Sequence, residues 1–156
     1  MLFPDHIEYR IAGGDVLFPR MFKVRQVFSR DRIDDVPEAV RREMERLALA
    51  DVAGKRVALT AGSRGVANQA LILKTAAAFL GERGAIPFAV PAMGSHAGAT
   101  AEGQREFLAG YGITEERIGV PILSDMGVVK LGETASGFPV YCDRYAAEAD
   151  FILPIH

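Results

Sequence analysis

Hydrophobic and polar positions in the first third of the chain predict a strand followed by an amphipathic helix. Residues 21–28, MFKVRQVF, alternate hydrophobic and polar side chains imperfectly, which favours an early edge strand. Between residues 36 and 47 hydrophobic side chains recur at helical spacing. Asp34, Asp35 and Pro37 stand where capping and first-turn residues begin a helix.

Two further strands follow, and each leads through a glycine-containing loop into a helix. Residues 55–61, KRVALTA, predict a buried strand, with a helix from Asn68 to Leu80 that Gly81 closes. Residues 86–93, IPFAVPAM, predict the next strand, and another helix is predicted from Ala101 to Gly110 or Gly112. This repeat predicts parallel strands whose following loops meet at one edge of the sheet.

The remaining sequence completes the predicted fold. A β-hairpin is expected around Ala135–Gly137 and a last strand over Phe151–Ile155. We expect residues 1–156 to form a single α/β domain. Its predicted architecture is a Rossmann-like, three-layer arrangement with a mostly parallel sheet, helices on both faces and a C-terminal hairpin region.

Composition and charge argue against several classes of partner. The net charge is −2, from 18 Lys and Arg against 20 Asp and Glu, and no basic stripe indicates binding to nucleic acid or to an anionic membrane. The opening MLFPDHIEYR lacks the basic start of a secretory signal, and no run of about 18 apolar residues predicts a membrane span. We therefore expect a cytoplasmic protein. Cys142 is the single cysteine, and no metal site is predicted from spacing.

The first glycine loop lies in RVALTAGSRGVA, residues 56–67, and is similar to a dinucleotide fingerprint. Three features contradict that interpretation: Ala67 replaces the third glycine, the second strand ends without an acidic or basic residue, and no tyrosine has a lysine four residues later. The loop still predicts an anion site made by Gly62, Ser63, Arg64 and Gly65, because a helix N-terminus and an arginine favour an anion. The alternative is a tight turn whose arginine points into water.

The second loop places a histidine beside the predicted anion site. His96 follows Gly94 and Ser95 at the expected C-terminal end of a strand. Imidazole suits proton transfer near neutral pH, so His96 is the candidate catalytic acid/base, with Gly94 and Ser95 as possible ligand contacts. A solvated loop histidine is the alternative. Thr100 is expected to cap the next helix.

The second loop and its continuation, VPAMGSHAGATAEGQREFLAGYGITEERIG, resemble the N-terminal domain of the nickel-pincer-dependent lactate racemase family and its relatives. GSRG upstream and GFPVYCDRYAAEAD downstream fit the same resemblance, which covers the chain from about Lys55 onward. The resemblance implies a racemase or epimerase of 2-hydroxy acids that uses a nickel-pincer pyridinium mononucleotide. It also implies that His96 takes the hydroxyl proton and that Arg64 binds the substrate carboxylate or an anionic group of the cofactor.

The chain also departs from the pattern of that family. Lactate racemases carry Asp, Thr and Arg in the first loop and an arginine after the loop histidine, whereas this chain has Gly62-Ser63-Arg64-Gly65 and Ala97. The resemblance therefore does not favour lactate as the substrate. The lysine that holds the cofactor covalently, a second histidine and a C-terminal domain follow later in the family, and His156 receives no role.

The resemblance accordingly implies either the N-terminal part of a longer two-domain enzyme or a natural short form, in both cases inactive as this chain alone. Its partners would be a small 2-hydroxy acid and either a missing C-terminal domain or a second copy in a homo-oligomer. Two other interpretations stay open. One is a stand-alone phosphate- or nucleotide-binding module, and the other is an assembly subunit without activity.

Overall fold

The computed structural model describes residues 21–29, 31–47, 49 and 51–155. The chain divides into two units, residues 1–32 and residues 33–156. The described residues of the first unit form neither helix nor strand, so the strand predicted at 21–28 is wrong. The hydrophobic side chains among these described residues are all exposed. An alternating pattern makes a strand only where a neighbouring strand and a packing surface stabilise it.

The second unit contains the helices and strands, and it is an α/β structure with a three-stranded parallel sheet and a separate antiparallel hairpin. A short turn, Ala97–Ala99, whose three residues all have positive φ, follows the second strand. The elements in chain order are α1 (Val36–Arg46), β1 (Arg56–Ala61), α2 (Gln69–Glu82), β2 (Ile86–Pro91), α3 (Ala101–Gly110), α4 (Glu115–Ile118), β3 (Val128–Glu133), β4 (Pro139–Asp143), α5 (Arg144–Ala147) and β5 (Phe151–Leu153).

Helix α1 begins as its sequence predicts. The Asp35 side chain accepts a hydrogen bond from the Glu38 N–H, 2.9 Å away, and Met44 is buried against the core. The Arg41 guanidinium makes two hydrogen bonds, of 2.8 and 2.6 Å, to the Glu82 carboxylate at the end of α2. This bidentate ion pair holds α1 beside α2.

The predicted end of α2 needs a correction. The helix runs through Gly81 to Glu82, and the glycine with left-handed backbone is Gly84, at φ +77°. The Gly84 N–H donates to the Gly81 carbonyl and the Ala85 N–H donates to the Leu80 carbonyl, which closes the last turn. Gly81 is an exposed position inside the helix, with nothing within 4 Å of a Cβ built on it.

The parallel sheet has the order β2-β1-β5, which confirms the predicted parallel pairing. Thr60 pairs with Val90 on one side of β1, and Leu59 pairs with Leu153 on the other. β5 ends at Leu153, two residues short of its predicted end, and the Ile155 N–H instead donates to Thr60 Oγ1 at 2.9 Å. The sheet is therefore built around β1.

Side chains of β1 alternate between two hydrophobic clusters. Val57, Leu59 and Ala61 belong to the larger cluster, which includes residues of α1, α2 and α3. Ala58 belongs to the smaller one with Phe88 and Val90, against which Leu123, Tyr145 and Ala149 pack. Helices therefore flank the sheet, and the larger part of the core lies with α2.

Strands β3 and β4 form the antiparallel hairpin that the sequence predicts around Ala135–Gly137. Gly137, at φ +82°, closes the turn by donating its N–H to the Thr134 carbonyl.

No helix in the described part of the chain is long and apolar enough to cross a membrane.

Asp150 fixes the start of the sheet and makes the stability of the fold sensitive to acid. Its carboxylate accepts a hydrogen bond from the Arg56 N–H at 2.8 Å and lies 3.4 Å from Lys55 Nζ. The Arg56 hydrogen bond, with help from Lys55 and against partial desolvation, holds the pKa of Asp150 below its ordinary value of 3.8.

A carboxyl whose pKa is lowered by folding stabilises the fold above its ordinary pKa, and this contribution disappears as the pH falls through the lowered value. We expect Asp150→Asn to be less stable than the parent at pH 7 and to lose less of its remaining stability between pH 5 and pH 2. Urea unfolding across that range measures the difference. Equal slopes in parent and variant would contradict it.

Candidate functional site

The first loop connects β1 to α2 at the C-terminal edge of the sheet. Gly62 is buried, Ser63 is half-buried, and Arg64 and Gly65 are exposed. Gly65 has φ +68°, a left-handed conformation that favours glycine at this turn. The loop is thus a sharp turn that brings Ser63 and Arg64 to the sheet edge.

The second loop leaves β2 at the same edge. The Ala92 N–H donates to the Ala61 carbonyl at 2.8 Å, which joins the ends of the two strands. Gly94 turns the chain at φ +60°, and the His96 N–H donates to the Met93 carbonyl. Gly94, Ser95 and His96 are all exposed.

A hydrogen bond between side chains joins the two loops. Ser63 Oγ lies 2.7 Å from His96 Nδ1, although the residues are 33 positions apart. The prediction that both loops meet at one sheet edge is therefore confirmed. Because Nδ1 is occupied by this contact, Nε2 is the ring nitrogen left for a ligand.

The backbone after His96 is unusual for its residue types. Ala97, Gly98 and Ala99 have φ values of +55°, +74° and +53°. Alanine in the left-handed region costs about 1–3 kcal/mol when the surrounding structure imposes it, and such residues concentrate at functional sites. The loop that presents His96 is thus held in a strained conformation.

Helix α3 supplies the contacts that hold the second loop. Gln104, which is buried, donates from Nε2 to the Gly94 carbonyl at 2.8 Å. The Thr100 side chain accepts from the Gly103 N–H, so the predicted helix cap is confirmed. Gln104 is not among the residues predicted from the sequence, because nothing in the sequence distinguishes this buried glutamine from an exposed one on a helix.

Arg64 lies on the first loop, directly after Ser63. It is exposed, and within the described residues none of the hydrogen bonds or ion pairs involves its side chain. Its guanidinium can therefore bind an anion without first giving up an internal partner. Ser95, the other predicted ligand contact, is exposed beside His96.

The described residues contain no group of three or more His, Cys, Asp or Glu side chains that could bind a metal ion, at this edge or elsewhere. Cys142 is half-buried in β4. The site consists of an imidazole, a hydroxyl, a guanidinium and two glycine-rich turns. That donor set can bind an oxyanion and transfer a proton.

Comparison of the chain with models of protein families, with curated proteins and with solved structures gives no match. The resemblance to the lactate racemase family therefore stays a prediction from sequence motifs.

Proposed function

We propose that this domain binds the carboxylate of a small 2-hydroxy acid and exchanges a proton with its hydroxyl group, as part of a racemase or epimerase. The observation that carries the proposal is the hydrogen bond between Ser63 Oγ and His96 Nδ1. It fixes a histidine on the loop next to the exposed Arg64. A base and an anion-binding cation are the two groups that a hydroxy acid requires.

In this proposal each residue has a distinct role. Arg64 binds the carboxylate with two parallel hydrogen bonds, and the exposed Gly65 lets the substrate approach the turn. Nδ1–H of His96 donates to Ser63 Oγ, which leaves Nε2 unprotonated to accept the hydroxyl proton. Gly94 and Ser95 lie beside the ring, where they would contact the rest of the substrate.

Both His96 and Arg64 are exposed, so the described residues form one wall of the proposed site. A site that excludes water strengthens the electrostatic interactions that bind a carboxylate and that stabilise the charge formed during proton transfer. We propose that a further domain or a second copy of the chain supplies the opposite wall.

The Rossmann-like, three-layer architecture and the cytoplasmic location stay predictions from the sequence.

The nickel-pincer cofactor is a proposal from the resemblance alone. The described residues do not group into a nickel site. The roles of Arg64, Ser63 and His96 concern only the substrate carboxylate and hydroxyl proton. Inversion at C2 also requires an acceptor for the C2 hydride, which the cofactor implied by the resemblance would supply.

Titration with glycolate, the smallest 2-hydroxy acid, tests the proposed roles. We expect saturable binding that shifts the NMR signals of the His96 ring, and a loss of affinity of about tenfold or more in Arg64→Ala. Arg42→Ala is the control because Arg42 is an exposed arginine on α1 rather than on either loop. Glycolate binding that Arg64→Ala leaves unchanged would overturn the proposal.

The hydrogen bond to Ser63 is tested by the tautomer of His96. We expect Ser63→Ala to change the ratio of the Nδ1–H and Nε2–H forms, because the partner that selects one form is lost. Nitrogen-15 NMR of the imidazole ring measures this ratio. Ser95→Ala, which changes the adjacent serine, is expected to leave it unchanged, and equal effects of the two variants would contradict the assignment.

A further inference from the structure

An open cavity of about 400 Å³ lies at the N-terminus of α2, and neither Arg64 nor His96 lines it. Its polar lining consists of Asn68, Gln69, Lys74, Tyr111 and Arg117. No carboxylate lines it. Neither of the two cations makes an ion pair with another residue in the described part of the chain. The cavity is therefore a region of unbalanced positive charge.

Helix α2 begins at this cavity without the usual cap. Asn68, the residue before the helix, has a left-handed backbone at φ +59° and its side chain makes no capping hydrogen bond. The first N–H groups of a helix have no acceptor within the helix, and the positive end of the helix dipole favours an anion there. α2 is 14 residues long, so its dipole is fully developed.

Gln69 points independently to a ligand. It lines the cavity and is 4% exposed, yet neither Nε2 nor Oε1 of its buried amide has a hydrogen-bond partner. A buried amide without partners costs stability, and such groups are rare in folded proteins. A ligand that satisfies both atoms must carry an acceptor for the NH₂ group and a donor for the carbonyl oxygen.

We propose that this cavity binds a phosphate group, as inorganic phosphate or as a small phosphate monoester with a neighbouring hydroxyl. Phosphate oxygens would accept from the Gln69 amide, from Lys74 and Arg117, and from the start of α2. A P–O–H of inorganic phosphate, or a hydroxyl of the ester, would donate to Gln69 Oε1. The cavity is in the size range of small-molecule sites, so it has room for the organic part of an ester.

The proposal separates phosphate from sulfate. Both ions offer acceptors, but inorganic phosphate keeps at least one O–H at pH 7 and sulfate has none. Since Oε1 of Gln69 requires a donor, we expect sulfate to bind at least about tenfold more weakly than phosphate, the difference that one unsatisfied buried acceptor produces. Glycerol 3-phosphate carries hydroxyl groups as well and is expected to bind more tightly than inorganic phosphate.

NMR titration of the whole chain with phosphate, sulfate and glycerol 3-phosphate tests the proposal. We expect phosphate to shift the Gln69 side-chain amide and the backbone signals at the start of α2, with affinity at least about tenfold lower in Lys74→Met and in Gln69→Leu. Gln69→Leu should also melt at a higher temperature, because it removes an unsatisfied amide. Lys130→Met, which changes a lysine on the hairpin strand β3, is the matched control and should bind like the parent.

Several results would overturn the proposal. These are equal affinity for phosphate and sulfate, phosphate binding that Lys74→Met leaves unchanged, and the absence of phosphate binding at tens of millimolar concentration. Shifts confined to the Ser63 and His96 loops would also overturn it, because they would place the phosphate in the hydroxy-acid site instead.

The comparison of the two phosphates identifies the form of the ligand. If glycerol 3-phosphate binds no better than inorganic phosphate, the ligand is the free ion. The glycolate titration uses Arg64→Ala and is expected to be unaffected by Lys74→Met, so the two proposals fail separately.

Discussion

Leu73→Ala is expected to lower the free energy of unfolding by about 3–5 kcal/mol, the range for a fully buried leucine that leaves a cavity. Leu73 lies in α2 with 0% of its surface exposed and belongs to the larger hydrophobic cluster, which also contains Leu59 and Phe79. Its removal leaves a cavity among these buried side chains. Urea unfolding followed by circular dichroism measures the loss.

Leu71→Ala on the same helix is the control. Leu71 is 39% exposed, so its removal should cost less than about 1.5 kcal/mol, since only part of its side chain is withdrawn from water. Equal destabilisation of the two variants would contradict the packing of the Leu73 face of α2 against the core. The comparison holds helix propensity constant because both changes are leucine to alanine.

Gly103→Ala is expected to destabilise the protein by about 1–3 kcal/mol and to displace the loop that carries His96. A Cβ built on Gly103 would lie 2.2 Å from the Ala97 carbonyl oxygen and 2.8 Å from Thr100 Oγ1. The first contact is with backbone, so either α3 or the loop must move. The cap formed by Thr100 would be disturbed by the same movement.

Gly110→Ala provides the matched change in the same helix. Nothing lies within 4 Å of a Cβ on Gly110, so that variant should keep the parent stability or gain up to about 1 kcal/mol from better helix propensity. The second measurement is the tautomer ratio of His96, which should change only in Gly103→Ala. An unchanged ratio and an unchanged melting temperature in Gly103→Ala would show that the loop yields without cost.

The sequence was sufficient for the parts of the fold that depend on local patterns. The hydrophobic spacing of α1, the buried strands β1 and β2, and the turn at Gly137 are each determined by residues close in sequence. The failed strand at 21–28 shows the limit of this reasoning. Alternating hydrophobic and polar residues make a segment suitable for a strand, but they do not supply the neighbouring strand with which it must pair. The described residues of this segment have their hydrophobic side chains exposed.

The candidate site was predictable in its residue types but not in its contacts. Parallel strands bring their following loops together, so the proximity of Ser63 and His96 follows from topology. The support from Gln104 and the unsatisfied amide of Gln69 depend on which face of a helix points inward. Both are glutamines in helices, and the sequence alone gives no reason to distinguish them from exposed ones.

The strand order β2-β1-β5 has a consequence for the sequence of events in folding. The contact between the loops, Ser63 with His96, closes a segment of 33 residues, whereas the contact of Ile155 with Thr60 closes one of 95. Closing the longer segment costs more chain entropy, and contacts distant in sequence form more slowly. The β1-α2-β2 unit can therefore assemble first and carry both loops into position, while β5 docks on the open side of β1 afterwards.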